Sequence, residues 1–303
     1  MSINIEEYLN SLSNNIKEID ISENELTYLP NLSRFTNLEI LICHTNKLQN
    51  LPSLNLTLKN LNCSNNLLEI LPNLNENLEL LHCDNNKLTN LPKINNKLRY
   101  LKCSDNLLEI LPNLNENLEI LHCDNNKLTN LPKINNKLRY LNCSNNNLKE
   151  IPELDKTLSE LSQLYCECNE LSNLSEIPDR MRNINCSNNN LTELPILNRN
   201  LETLYCNNNL LTFLPELNTN LCELICYDNR LTNLPVLNSY LEVLVCNNND
   251  ITVFPLINNN NLLHYIEFEN NPIYNNIFTE DAKYNNINDV IKQINLVSKL
   301  NMV

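Results

Sequence analysis

Apolar positions along this chain follow one frame, Leu-x-x-Leu-x-Cys-x-x-Asn-x-Leu, and then a polar, proline-marked stretch before the frame returns. Its cysteines are Cys43, Cys63, Cys83, Cys103, Cys123, Cys143, Cys166, Cys186, Cys206, Cys226 and Cys246, spaced almost always by 20 residues. A fixed period of this length predicts a solenoid, because one unit cannot bury its own apolar side. The x-Leu-x-Cys stretch alternates with the period of a strand, so Leu and Cys point inward and the residues between them face a concave surface. The Asn that follows, as at Asn66, Asn86, Asn126 and Asn209, falls where the chain turns. Its amide carries donors and an acceptor and can satisfy backbone groups of adjacent turns. The return segment, of the type Leu-Pro-x-Leu-Asn, is too short and too proline-marked for a normal helix, so the convex side is expected to be extended or polyproline-like.

The frame first appears in degenerate form at Ile16, Ile19, Ile21, Asn24 and Leu26, and last at Leu263, Ile266, Phe268, Asn271 and Ile273. About thirteen repeats therefore fill residues 16–273. Insertions near Leu158 and Leu161 and in the Asn258 to Asn261 run break the period ahead of a strand and are expected to bulge from the convex side or rim. Residues 67–101 and 107–141 differ only at Leu80 and Ile120, the mark of a duplicated two-repeat unit. Residues 1–15 carry Ile5, Tyr8, Leu9 and Leu12 at helical spacing, and the segment 274–303 carries Ile287, Val290, Ile291, Ile294, Val297 and Leu300 likewise. Both are expected to cap the open ends of one continuous domain spanning 1–303.

The frame, as in Leu118, Leu121, Cys123, Asn126, Leu128 and Leu131-Pro132, resembles leucine-rich repeats. The short unit ending in Leu-Pro resembles the bacterial-effector subtype, the YopM- and IpaH-like repeats. That resemblance implies an α/β horseshoe-class solenoid with a concave parallel β-sheet and little helix outside the terminal caps. It also implies a non-catalytic protein–protein interaction scaffold with an effector-like role. The alternative it offers is an adaptor or ubiquitin-ligase component acting through a partner enzyme. IpaH-like proteins carry a separate ligase domain with a catalytic Cys; no Cys follows the repeats here, so that activity is not carried over.

Composition narrows the function further. The chain has no Gly, which excludes Gly-rich phosphate cradles. Abundant Asn, Ile and Lys with no Gly matches an AT-rich genome, in the style of an amoeba or a giant virus, so part of the Asn excess is expected to be mutational. The formal charge of −14 disfavours nucleic acid and anionic membranes and favours a basic protein partner. Thirteen cysteines would suggest disulfides in a secreted protein. A parallel ladder, however, holds successive side chains about 4.8 Å apart and pointing the same way, which suits neither a disulfide nor tetrahedral zinc. Free, buried thiols, no basic-apolar leader and no apolar run of membrane length point to a monomer in the cytoplasm, including a host's, with no cofactor and no metal.

Candidate contact residues follow from the frame, since positions flanking the strand Leu should face the concave surface. One patch comprises Ile40, Ile42, Leu80, His82, Tyr100, Ile120, His122 and Tyr140; another comprises Tyr165, Tyr205, Ile225, Val243 and Val245. Apolar and aromatic side chains on a solvent-facing strip mark binding surfaces. His82 and His122 lie two repeats apart, about 10 Å, too far to share a metal. Cys168 and Cys222 fall outside the ladder and are the candidates for accessible thiols, but no base is positioned for a nucleophile.

Overall fold

The computed structural model describes residues 3–154, 158–258, 262–277 and 287–300. It resolves into two compact units, Met1–Leu148 and Lys149–Val303. The first unit opens with helix α1 (Ile5–Ser11). Seven three-residue strands follow: β1 (Glu18–Asp20), β2 (Ile40–Ile42), β3 (Asn60–Asn62), β4 (Leu80–His82), β5 (Tyr100–Lys102), β6 (Ile120–His122) and β7 (Tyr140–Asn142). Each strand pairs parallel to the next in chain order, Leu81 against Leu101 and Leu101 against Leu121. The second unit repeats the plan with β8 (Gln163–Tyr165), β9 (Asn183–Asn185), β10 (Thr203–Tyr205), β11 (Glu223–Ile225), β12 (Val243–Val245) and β13 (Tyr265–Glu267). It closes with α2 (Tyr274–Ile277) and α3 (Ile287–Leu300). Both units are parallel-sheet solenoids, and helix among the described residues is confined to α1, α2 and α3.

The strands are short because the chain must turn immediately after each ladder cysteine. The turn places the residue two beyond that cysteine in the left-handed region, at φ 54° for Asn65, 53° for Asn125 and 53° for Asn208. Glycine would take this conformation freely, but the chain has none. Asn or Asp, the next most tolerant residues, stand there in most turns. Thr45 and Cys168, both at φ 55°, are the exceptions among the cysteine-bearing frames.

The frame Asn performs the ladder role. The amide nitrogen of Asn126 donates to the carbonyls of Cys103 (3.0 Å), Cys123 (3.2 Å) and Asp124 (3.1 Å). Its side-chain oxygen accepts from the Leu108 N–H at 3.0 Å. Each such Asn therefore ties its own turn to the preceding one. A second asparagine ladder runs up the return segments. The Asn95 amide donates to the carbonyls of Asn75 (2.7 Å) and Leu78 (3.0 Å) and accepts from the Lys97 and Leu98 N–H groups. Asn198 and Asn218 do the same in the second unit. Whatever produced the Asn excess, three positions of each typical repeat use it.

Leu118, Leu121, Cys123, Leu128 and Ile134 of a typical repeat are buried and meet their counterparts above and below. At the start, α1 buries Ile5 and Leu9, Asn4 caps it by accepting from the Glu7 N–H, and the Arg34 guanidinium donates to the Leu9 carbonyl. In the second unit, α3 buries Ile291, Ile294 and Val297. Its Asn295 donates to the Ile257 carbonyl at 2.7 Å and accepts from the Ile257 N–H at 2.8 Å, which ties the helix to that return segment. Of the two expected insertions, residues 155–157 and 259–261 lie outside the described residues.

Candidate functional site

Every strand from β2 to β11 buries its central residue and leaves the two flanking ones half-exposed, so the flanking positions form the open face of each sheet. Ile40, Ile42, Leu80, His82, Tyr100, Ile120, His122 and Tyr140 occupy that face in the first unit. Tyr165, Tyr205, Ile225 and Val243 occupy it in the second. Val245 stands at the same frame position but is only 9% exposed, so it offers little contact area.

The first unit's aromatic residues do more than share a face. His82, third in β4, stacks on Tyr100, first in β5, with ring centroids 4.9 Å apart and planes at 13°. Tyr100 meets His122 at 5.8 Å, and His122 meets Tyr140 at 4.6 Å. The four rings zigzag across β4 to β7 as one strip, alternating between the third and the first position of successive strands. Burial lowers the pKa of both imidazoles; Lys102, which stands between them in register, adds to this, while Asp84 and Asp124 oppose it. The strip is accordingly neutral at physiological pH. Lys102 is held by Asp84, Nζ to Oδ2 at 3.3 Å, and Asp124 accepts from the Ser104 hydroxyl at 2.6 Å. The strip could not be read from the sequence, where His82 and His122 look like separate surface residues.

The second unit's face is held differently. The Tyr205 phenol donates to Glu223 at 2.6 Å, a bond that raises its pKa to about 12. The Thr203 hydroxyl bonds Asn183 at 2.7 Å.

All thirteen cysteines are free, and the eleven of the ladder are buried. Several donate their S–H to a strand carbonyl of the next turn, as Cys63 to His82 (3.4 Å) and Cys186 to Tyr205 (3.4 Å). Burial pushes the Cys43 and Cys186 thiols up to about 12. Cys168 and Cys222 are half-exposed, yet burial and neighbouring glutamates raise their pKa as well. A thiol is a nucleophile through its thiolate, and these environments all oppose that form. No group of three or more His, Cys, Asp or Glu side chains able to hold a metal occurs among the described residues.

A short-strand parallel solenoid stitched by frame asparagines defines a leucine-rich repeat protein. The family model for leucine-rich repeats in two copies matches residues 136–179. The chain is similar to the leucine-rich effector protein YopM from Yersinia pestis, with 32% identity and a TM-score of 0.73 over 85% of this chain and 78% of that one. It thus belongs to the leucine-rich repeat family. It is also similar to YopM from Yersinia enterocolitica WA-314, with 29% identity and a TM-score of 0.79 over 86% of this chain. It spans 61% of that protein's length. The functional domain of InlJ from Listeria monocytogenes, which includes a cysteine ladder, is 26% identical with a TM-score of 0.63, covering 84% of this chain and 63% of that one. No curated protein matches the chain. No helix among the described residues is long and apolar enough to cross a membrane.

Proposed function

We propose that the chain is a non-catalytic scaffold that binds a protein partner on the open sheet face of its repeats. The observation that carries this is the half-exposed ring strip His82–Tyr100–His122–Tyr140, flanked on the same face by Leu80 and Ile120. Rigid aromatic side chains already held by one another lose little freedom on binding and contribute disproportionately to interface energy. The net charge of −14 favours a basic partner through steering, so association should slow as salt rises. Thirteen free thiols fit a reducing compartment, the cytoplasm of the source cell or of a host, with the chain acting as a monomer. The likeness to an effector protein supports an effector-like role.

The test is capture from cytosolic extract by the native chain, by Tyr100→Ala with Tyr140→Ala, and by Lys93→Ala with Lys133→Ala, whose side chains are exposed on the return segments. Loss of a captured protein in the tyrosine variant alone supports the sheet face. Loss in the lysine variant alone refutes it. A ubiquitin-charging assay on the same captured material separates a plain scaffold from an adaptor of a partner ligase.

A further inference from the structure

The residue just before each strand carries a charge ladder. In the first unit its sign alternates without a break from Lys17 to Arg139. Glu39 pairs with Lys17 (3.0 Å) and Lys59 (2.8 Å), and Glu119 with Arg99 (2.7 Å) and Arg139 (3.8 Å). The second unit opens on uncharged Ser162 and then takes up the same pattern, with Arg182 on Glu202 at 2.7 Å. The next turn should then bring a cation, and it brings Cys222, with Glu242 on the turn after. The backbone keeps the three in step: the Cys222 N–H donates to the Glu202 carbonyl and the Glu242 N–H to the Cys222 carbonyl, both at 2.8 Å. The turn after Glu242 carries His264, whose N–H donates to the Glu242 carbonyl at 3.0 Å, and no ion pair to the Glu242 side chain occurs among the described residues. Glu223, first in β11, adds a third carboxylate on the sheet face, fixed by the Tyr205 phenol at 2.6 Å. Beside it Ile225 and Val243 present half-exposed apolar surface.

Two carboxylates about 10 Å apart across a small uncharged side chain leave a cation-sized opening in the row. Their mutual repulsion, and that of Glu223, is relieved by any cation placed between them. We propose that this part of the second unit's sheet face docks a basic segment of a protein partner, with an Arg or Lys side chain over Cys222 between Glu202 and Glu242 and an adjoining apolar side chain on Ile225 and Val243. The inference rests on the reading of the sheet face as the binding surface and adds the chemistry of the partner. The corresponding positions of the first unit are closed to such a cation because that unit supplies its own.

A fluorescently labelled synthetic peptide of alternating arginine and valine tests this, with the glutamate–valine counterpart as control. The arginine peptide should bind the native chain at low salt and the glutamate peptide should not. Cys222→Lys fills the opening from within and Glu242→Gln removes one wall. Each should weaken the peptide by roughly tenfold or more, the effect expected of a close charge pair. Glu79→Gln, in the first unit, should leave binding unchanged. Cys222→Lys should melt at or above the native temperature, since the new ammonium completes the ladder; should it unfold, Glu242→Gln still decides. Binding that is absent, or undiminished in both Cys222→Lys and Glu242→Gln, overturns the inference. If it is undiminished there but lost in Tyr100→Ala with Tyr140→Ala, the sheet-face reading survives without it. If only Lys93→Ala with Lys133→Ala abolishes binding, both fail.

Discussion

The two units share an interior and differ in their faces. Inside, the same leucine, cysteine and asparagine ladders recur; Asn126 and Asn209 make the same three donations and one acceptance to within about a tenth of an ångström. Outside, the first unit's row alternates in sign and all of its members but Glu79 form ion pairs, and its rings stack on one another. The second unit's row is interrupted at Ser162 and at Cys222, and both half-exposed thiols belong to that unit. A solenoid allows this because inward positions are fixed by contact with neighbouring turns while face positions are free to vary. Likeness of interior therefore predicts likeness of stability, and says nothing of likeness in binding.

The largest expected effects test the shared interior. Leu121→Ala in the first unit and Leu224→Ala in the second each remove a buried side chain and should cost about 2–5 kcal/mol in urea unfolding. Asn126→Ala and Asn209→Ala strand three carbonyls and one N–H each and should cost about 1–3 kcal/mol. A clear difference between the units within either pair would break the equivalence of their interiors, and no effect from either Asn variant would remove the ladder role.

Acid should separate the units. The folded pKa of His82 and His122 is lowered, chiefly by burial. As pH falls, the unfolded chain takes up those protons first, so this stability is fully present above the ordinary histidine value of about 6.5 and is lost as pH falls from there through the depressed folded values. His82→Gln with His122→Gln should flatten the stability curve between pH 7.5 and 5.5, a range chosen above most carboxylate titrations. A slope that persists in the double variant would place its origin elsewhere.

Thiol chemistry should separate them in the other direction. Titration with an aromatic disulfide reagent should find at most Cys168 and Cys222 reactive in the native chain, and slowly, against thirteen thiols after denaturation. Fast native reaction of a first-unit cysteine would contradict the burial of its ladder. The smallest effect concerns the backbone. Thr45 and Cys168 hold the left-handed turn position that Asn or Asp fills in the other cysteine-bearing frames, so Thr45→Asn and Cys168→Asn should each stabilise by up to about 1 kcal/mol in thermal unfolding. A loss of stability in both would show that their side chains contribute more than the turn costs.

Much of the fold was legible because it is periodic. Strand positions, the inward Leu and Cys, the frame Asn and the helical ends all follow from spacing, and each is local to one repeat. The left-handed residue two beyond each ladder cysteine is not legible in the sequence because no glycine marks it. Asn65 and its equivalents carried the signal, hidden by the abundance of Asn at every other turn position. The second asparagine ladder was masked in the same way. The flanking positions stand on the open sheet face, with Val245 nearly covered, and their part in binding is the proposal made above.

The sequence by itself determined which side chains repeat and therefore which are inside, since burial in a solenoid is dictated by period. Only the tertiary structure decided which residues of different turns become neighbours. His82 reaches Tyr100, not Lys102, because the ring contact runs diagonally between strands. Cys222 becomes a gap only because parallel register aligns it with Glu202 and Glu242. Those relations depend on a rise of about 4.8 Å between turns and on exact strand register. No single repeat contains them.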